Sequence, residues 1–145
     1  MSVDATTPAD KGHWTLHAVQ AVLIAGATPL FLGALLSDLA YNSSYEMQWS
    51  NFATWLLVGA MVFTGLALLW SVVELIRSRQ RHAQSLACFA LLAMIFVLGL
   101  LNSFVHARDA WATMPQGLVL SLIISVLSVA VTFLGFASFR RGDRR

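Results

Sequence analysis

Apolar side chains fill four long segments of this chain, and short polar stretches separate them. The segments cover about residues 17–41, 49–76, 83–107 and 117–139. A helix of about 23 to 28 residues is long enough to cross the roughly 30 Å hydrocarbon core of a membrane. The pattern therefore predicts four transmembrane helices. It also predicts two polar tails, one over 1–15 (disordered over 1–12) and a short basic one over 141–145.

Small side chains recur along the predicted helices at alternating steps of four and three residues, which is the spacing of left-handed bundles. The second segment carries Ala53, Leu57, Ala60, Thr64, Ala67, Ser71 and Glu74 at this spacing. The fourth segment carries Gly117, Ser121, Ser125, Ser128, Thr132 and Gly135. With short connections between the segments, these seams predict an all-α, integral membrane, up-down-up-down four-helix bundle.

The composition supports a membrane protein and excludes an ordinary soluble domain. The 145 residues are 58% hydrophobic and only 11% charged, whereas soluble domains are roughly 25% charged. The net charge of +2 does not indicate nucleic-acid binding, because the basic residues lie in short clusters beside apolar segments. The single cysteine, Cys88, has no partner for a disulfide and is read as a small apolar side chain.

The basic residues predict the orientation of the bundle. Eight of the nine Lys and Arg residues fall on one side of the predicted spans, and only Arg108 falls on the other. Cytoplasmic loops carry the excess of positive charge. Both termini are therefore predicted to be cytoplasmic.

A stripe of polar residues lies where the third segment stops being apolar. Asn102, His106 and Asp109 are spaced i, i+4, i+7 and share one helix face. Residues of similar predicted depth complete an outer polar cluster, which consists of Asp38, Asn51, Asn102, His106, Arg108 and Asp109. Two interpretations stay open: a solvated network that fixes helix ends, or a shallow outward-facing site for a quinone headgroup, a small solute or a partner protein, with His106 as its titrating group.

Within this cluster, Asp38 and His106 are predicted to interact directly or through one water. A carboxylate in partly dehydrated surroundings is costly unless a donor meets it. Arg108 already has Asp109 beside it and can reach the lipid headgroups. His106 shares its stripe with Asn102, which the spacing from Gly99 turns inward.

Several stretches of the chain resemble a known family. These are Leu16-His17-Ala18, the run from Pro29 to Asp38, Trp49-Ser-Asn51-Phe, and the run from Asn102 to Pro115. They resemble the bacterial four-helix membrane proteins grouped as domain of unknown function 2231, over nearly all of residues 16–140. The resemblance implies a bacterial inner (plasma) membrane protein. Some relatives are fused to or encoded near redox proteins, which implies a membrane or periplasmic redox protein as a candidate partner.

Haem is the cofactor for which the sequence offers specific candidate ligands. A membrane b-type haem commonly uses two axial histidines at similar depth, and His17 and His82 both lie at the predicted cytoplasmic end. Family members typically open the first segment with a His-Pro pair before a further His, but here Trp14 and Thr15 stand in that place. We therefore predict no haem. We also predict no metal site, because no carboxylate or thiol ligand is clearly placed to complete one, and no self-contained catalytic site, because no nucleophile–base pair or phosphate loop accompanies the polar cluster.

The sequence favours an accessory or scaffold subunit of a membrane assembly, which is embedded in the lipid bilayer and is a candidate homo-oligomer. The alternative is a haem- or quinone-linked electron-transfer subunit. A small-solute transporter is disfavoured because the chain has only four predicted spans and no visible inverted repeat.

Overall fold

The computed structural model describes residues 8–77, 83–108 and 114–142, with side chains described over 18–77, 86–108 and 114–134. These ranges contain four α-helices and no strand: α1 (Pro8–Ser44), α2 (Met47–Arg77), α3 (Ala83–His106) and α4 (Gln116–Gly142). Each helix includes a stretch long and apolar enough to cross a membrane, namely Ala18–Ser44, Met47–Arg77, Leu86–His106 and Gln116–Leu134. The predicted all-α membrane class with four spanning helices is confirmed.

The helices extend further than the apolar segments that predicted them. α1 begins at Pro8, inside the stretch 1–15 that was predicted to be a tail, and α4 continues to Gly142. Proline suits the first turn of a helix, because its φ is already helical and that turn needs no N–H partner. The apolar length sets how much of a helix spans the membrane, but the backbone hydrogen bonds continue beyond it. Residues 1–7 and 143–145 lie outside the described ranges.

The connection between α1 and α2 is only two residues long, Tyr45 and Glu46. Tyr45 has a φ of 57°, and its N–H donates to the Tyr41 carbonyl at 2.8 Å. A residue in the left-handed region after a helix stops the helical path and satisfies a terminal carbonyl. The tight turn therefore brings α2 directly against α1.

Each helix packs against two neighbours. α1 and α3 both contact α2 on one side and α4 on the other, so α1 and α3 lie diagonally across the bundle. Contacts between α1 and α2 run in opposite directions along the two helices, from Gln20 with Ser71 to Gly33 with Leu56. Contacts of α1 with α4 and of α2 with α3 also run in opposite directions. The helices of each of these three pairs are therefore antiparallel.

The face of α2 toward the bundle centre consists mostly of small residues. Its buried residues are Ser50, Ala53, Leu57, Ala60, Thr64, Ala67 and Ser71, which matches the predicted seam except that Glu74 is half-buried. Glycines of the neighbouring helices approach closely here. A β-carbon at Gly33 would lie 3.1 Å from Leu56 Cδ1, and one at Gly99 would overlap Met61 Sδ. Close backbone approach of this kind is how helices associate in lipid.

The face of α4 toward the bundle centre carries hydroxyl groups as well as apolar residues. Ser121, Ser125 and Ser128 are buried, as the predicted seam required. Ser125 Oγ donates to the Phe31 carbonyl of α1 at 3.1 Å. The hydroxyl groups of Thr28 on α1 and Thr132 on α4 lie 2.7 Å apart. Hydrogen bonds therefore join α1 to α4 along their length.

Candidate functional site

Four polar side chains from α1, α3 and α4 meet at one end of the bundle, and we refer to them as the polar ring: Asp38, Asn102, His106 and Ser121. Asp38 lies six residues before the end of α1, and Ser121 lies five residues after the start of α4. His106 is the last residue of α3, and Asn102 lies one turn before it. Asp38 and Asn102 are 0% exposed, and His106 is 8% exposed. The ring is therefore closed off from its surroundings.

The hydrogen bonds of the ring form a closed circuit. Asn102 Nδ2 donates to Ser121 Oγ at 2.9 Å, and Ser121 Oγ donates to Asp38 Oδ2 at 2.5 Å. Asp38 Oδ1 lies 2.8 Å from His106 Nε2. His106 Nδ1 lies 3.0 Å from the backbone carbonyl of Asn102, where the circuit closes. Since a carbonyl only accepts, Nδ1 is the donor in that bond.

The ring ties together helices that otherwise have little contact. α1 and α3 lie on a diagonal of the bundle, and the Asp38–His106 pair links them directly. A buried carboxylate loses its hydration, and the loss is offset only when hydrogen bonds satisfy its oxygens. Here the imidazole meets one oxygen of Asp38 and the Ser121 hydroxyl meets the other.

One atom of the ring lacks a partner. Asn102 Oδ1 is the buried side-chain polar atom without a hydrogen bond among the residues that the structure describes. Buried acceptors are nearly always satisfied by protein or by ordered water. This oxygen could therefore accept a hydrogen bond from a water molecule.

The predicted contact between Asp38 and His106 is present in the structure, and Asn102 joins it. Two other members of the predicted outer polar cluster do not enter the ring, because the side chains of Asn51 and Arg108 are exposed. Asp109 lies outside the described residues. The structure thus brings together three of the predicted residues.

Ser121 is the member of the ring that the sequence did not identify as a site residue. It was recognised only as part of the seam of α4, where serine ordinarily serves helix packing. Its depth relative to Asp38 could have been estimated from the helix ends. Its rotation toward Asp38 could not, because that depends on how α1 and α4 pack.

The order of the hydrogen bonds decides what chemistry the ring can perform. Ser121 donates to the carboxylate of Asp38 and not to His106. A serine nucleophile needs an adjacent base that takes its proton, usually an imidazole. The ring therefore joins three helices and can hold a proton between Asp38 and His106, while the hydroxyl of Ser121 is directed at the carboxylate rather than at the imidazole.

The two candidate haem ligands are not described in enough detail to be compared. His17 lies on α1 but its side chain is outside the described set, and His82 is outside the described residues altogether. Within the part of the chain that the structure describes, no group of three or more His, Cys, Asp or Glu side chains could hold a metal ion.

The cavity at the bundle centre has a volume of about 10 Å³, with Thr28, Thr64 and Ser128 in its wall. That is about the space of one water molecule.

Comparison with known protein families gives a match over most of the chain. Residues 14–140 match the model of a family described as "Predicted membrane protein (DUF2231)". No curated protein and no solved structure matches the chain. The matched range covers all four membrane-length stretches of the fold.

Proposed function

Because the chain belongs to the family described as Predicted membrane protein (DUF2231), we propose that it is an inner-membrane protein that serves as an accessory or scaffold subunit of a membrane assembly. The observation that carries this proposal is the closure of the polar ring on itself. A binding site for a solute would leave convergent polar groups open to a pocket. Here the side chains of Asp38, His106 and Ser121 use their hydrogen bonds on one another.

The interior supports the same function. A cavity of about 10 Å³ is far smaller than the several hundred Å³ of a typical ligand pocket. The outer surface instead offers large apolar side chains on every helix, such as Leu36, Trp55, Phe104 and Phe133, each of which is at least 65% exposed. Lipid covers such surfaces, and a neighbouring membrane protein can cover them as well by van der Waals packing.

Photo-crosslinking from these exposed positions tests the scaffold function. A photoreactive residue is placed singly at Leu36, Trp55, Phe104 and Phe133, and at the buried Leu57 as the control. We expect one distinct membrane protein to crosslink in high yield from one or two adjacent helices, and no adduct from Leu57. Adducts with lipid alone from all four exposed positions would contradict the proposal. A second copy of this chain as the one crosslinked protein would also contradict it.

We propose that both termini face the cytoplasm, on the strength of the eight-to-one distribution of Lys and Arg. In a Cys88→Ala background, a cysteine at Ser44 should react with a membrane-impermeant thiol reagent added to intact cells. A cysteine at Ser78, in the basic stretch after α2, should react only after the cells are opened. The reverse labelling pattern would overturn the orientation.

We propose further that the protein carries no haem of its own, because only His17 matches the histidines that open the first segment in relatives. The absorption spectrum of the gently purified protein should show no Soret band. A stoichiometric Soret band that is lost in both His17→Ala and His82→Ala would contradict this proposal. It would support the alternative of an electron-transfer subunit.

A further inference from the structure

The hydrogen-bond circuit determines how many protons the Asp38–His106 pair must carry. His106 Nδ1 faces a backbone carbonyl, so it carries a proton. Asp38 Oδ2 accepts a hydrogen bond from the Ser121 hydroxyl, and the oxygen of that hydroxyl accepts a hydrogen bond from Asn102 Nδ2. The remaining contact, between Asp38 Oδ1 and His106 Nε2, is a hydrogen bond only if one proton lies between the two atoms.

The position of that proton does not alter the total charge. On Nε2 it makes an imidazolium beside a carboxylate, and on Oδ1 it makes a neutral imidazole beside a carboxylic acid. The pair is neutral overall in both forms, which suits a group that is buried at the end of a membrane bundle. Removal of the proton leaves a lone pair facing a carboxylate oxygen at 2.8 Å and a buried net negative charge.

We propose that Asp38 and His106 form a binding site for one exchangeable proton, and that the bound proton locks α1, α3 and α4 together at this end of the bundle. Release of the proton removes the direct link across the α1–α3 diagonal and opens this end. This inference does not depend on the proposed scaffold function, because it concerns only the closure of the bundle.

Asp38 is the charged group in direct contact with the imidazole of His106, and the other charged, titratable and polar groups at this end of the bundle lie around that pair. α4 presents the hydroxyl of Ser121, and Ser50 is a buried polar residue near the start of α2. Tyr41 is buried one turn beyond Asp38 on α1, while Glu46 and Arg108 are exposed at the same end. Tyr45 is also exposed at this end, and the side chain of Asp38 hydrogen-bonds to the imidazole.

The direction of the pH effect follows from the number of protons bound. In the closed form the pair holds one proton. In the open form, above about pH 7, a solvated histidine is neutral and a solvated aspartate is ionised, so the pair holds none. Closure therefore weakens as the pH rises, and the opening equilibrium can change by at most about tenfold per pH unit for a single proton.

A matched pair of cysteine reporters on α2 can measure the opening. Ala53 and Ala67 are both 0% exposed and belong to the same seam, but Ala53 lies toward the start of α2, near the ring, and Ala67 toward its end. Each is replaced singly by cysteine in a Cys88→Ala background, and the protein is placed in lipid nanodiscs. The labelling rate with a small thiol reagent is measured between about pH 6 and 9. The ratio of the two rates cancels the intrinsic effect of pH on thiol reactivity.

We expect the labelling of Ala53→Cys to rise relative to that of Ala67→Cys, with a slope that approaches tenfold per pH unit. The key variant is Asp38→Asn, because its amide reproduces the hydrogen bonds of the proton-bound pair without a titratable proton. The amide oxygen can accept from Ser121, and the amide nitrogen can donate to Nε2 of a neutral His106. In this variant both reporters should stay slow across the whole pH range.

Three results would overturn the proposal: a ratio that does not change with pH in the parent protein, the same slope in Asp38→Asn, or fast labelling of Ala53→Cys at every pH in that variant. Slow labelling of Ala67→Cys in each variant shows that the bundle is folded. His106→Gln is the second variant. Because it lacks a titratable imidazole, its ratio should also be independent of pH.

Discussion

α2 and α4 contact the same two neighbours, α1 and α3, with different chemistry. Three of the seven buried residues of α2 are alanines, Ala53, Ala60 and Ala67, and all three are 0% exposed. Serine takes the corresponding place on α4, at Ser121, Ser125 and Ser128. Lipid tails are as apolar as the helices, so burial alone drives little association in a membrane. The α2 side of the bundle therefore relies mainly on close packing, with one hydrogen bond from Gln20 of α1 to Ser71, whereas the α4 side joins α1 through several hydrogen bonds.

Close packing of small side chains and hydrogen bonding between helices determine different features of the bundle, namely the helix separation and the helix register. Small side chains let two backbones approach, but neighbouring registers along an alanine-rich seam have similar shapes. A hydrogen bond to Asp38 or to the Phe31 carbonyl is formed only at one register. We infer that α2 supplies contact area and that α4, through the polar ring, fixes how α1 and α3 lie relative to each other.

The largest effect is expected from His106→Ala. The substitution leaves the buried Asp38 with one oxygen that lacks a donor, and removal of one partner of a buried pair costs about 3–5 kcal/mol. The free energy of unfolding in bilayer nanodiscs measures the loss. Arg108→Ala is the control, because Arg108 is exposed two residues further on. A loss for His106→Ala no larger than that for the control would show that the ring does not hold the helices.

On the packing side, Gly99→Ala should destabilise the protein by about 1–3 kcal/mol, the usual cost of overpacking. The new β-carbon would overlap Met61 Sδ, which must move for α2 and α3 to keep their distance. Gly59→Ala is the control, since its β-carbon would lie 3.5 Å from Leu30 Cδ1, an ordinary contact. Equal stability of the two variants, measured by unfolding in the same nanodiscs, would mean that this close approach is not limiting.

A smaller effect is expected along the hydroxyl seam. Thr28→Val removes the hydrogen bond to Thr132 of α4 and should cost about 0.6 kcal/mol, the average for such bonds between membrane helices. Thr64→Val is the matched control, because the Thr64 hydroxyl donates only within its own helix, to the Ala60 carbonyl. If unfolding measurements give both valine variants the same stability, the cross-helix bonds of α4 do not contribute.

The buried face of α2 could be predicted from the sequence because a periodic pattern within one helix determines it. The seam from Ala53 to Ser71 was identified residue by residue. The polar ring depends on how separate helices are rotated, which periodicity does not give. Asn51 shows the difference: it was predicted for the outer polar cluster, but Ser50 is the buried residue and Asn51 is exposed. One residue turns a helix by about 100°, and that decides the face.

The pairing of Asp38 with His106 could be predicted because few donors were available at that depth. The role of Ser121 could not, because serine on a membrane helix is ordinarily a packing residue. The start of α1 at Pro8 was also missed, because a polar composition was read as a tail. Apolar composition predicts which part of a helix spans the membrane. The helix itself continues wherever the local sequence permits its backbone hydrogen bonds.

The measurement that bears most directly on the polar ring is a double-mutant cycle of Asp38→Ala and His106→Ala, followed by the free energy of unfolding in bilayer nanodiscs. Each single variant leaves the other residue buried without its partner, whereas the double variant removes both groups. We expect the double variant to lose less stability than the sum of the two single losses, by about 1–3 kcal/mol. Strictly additive losses would show that the two residues do not stabilise the bundle through each other.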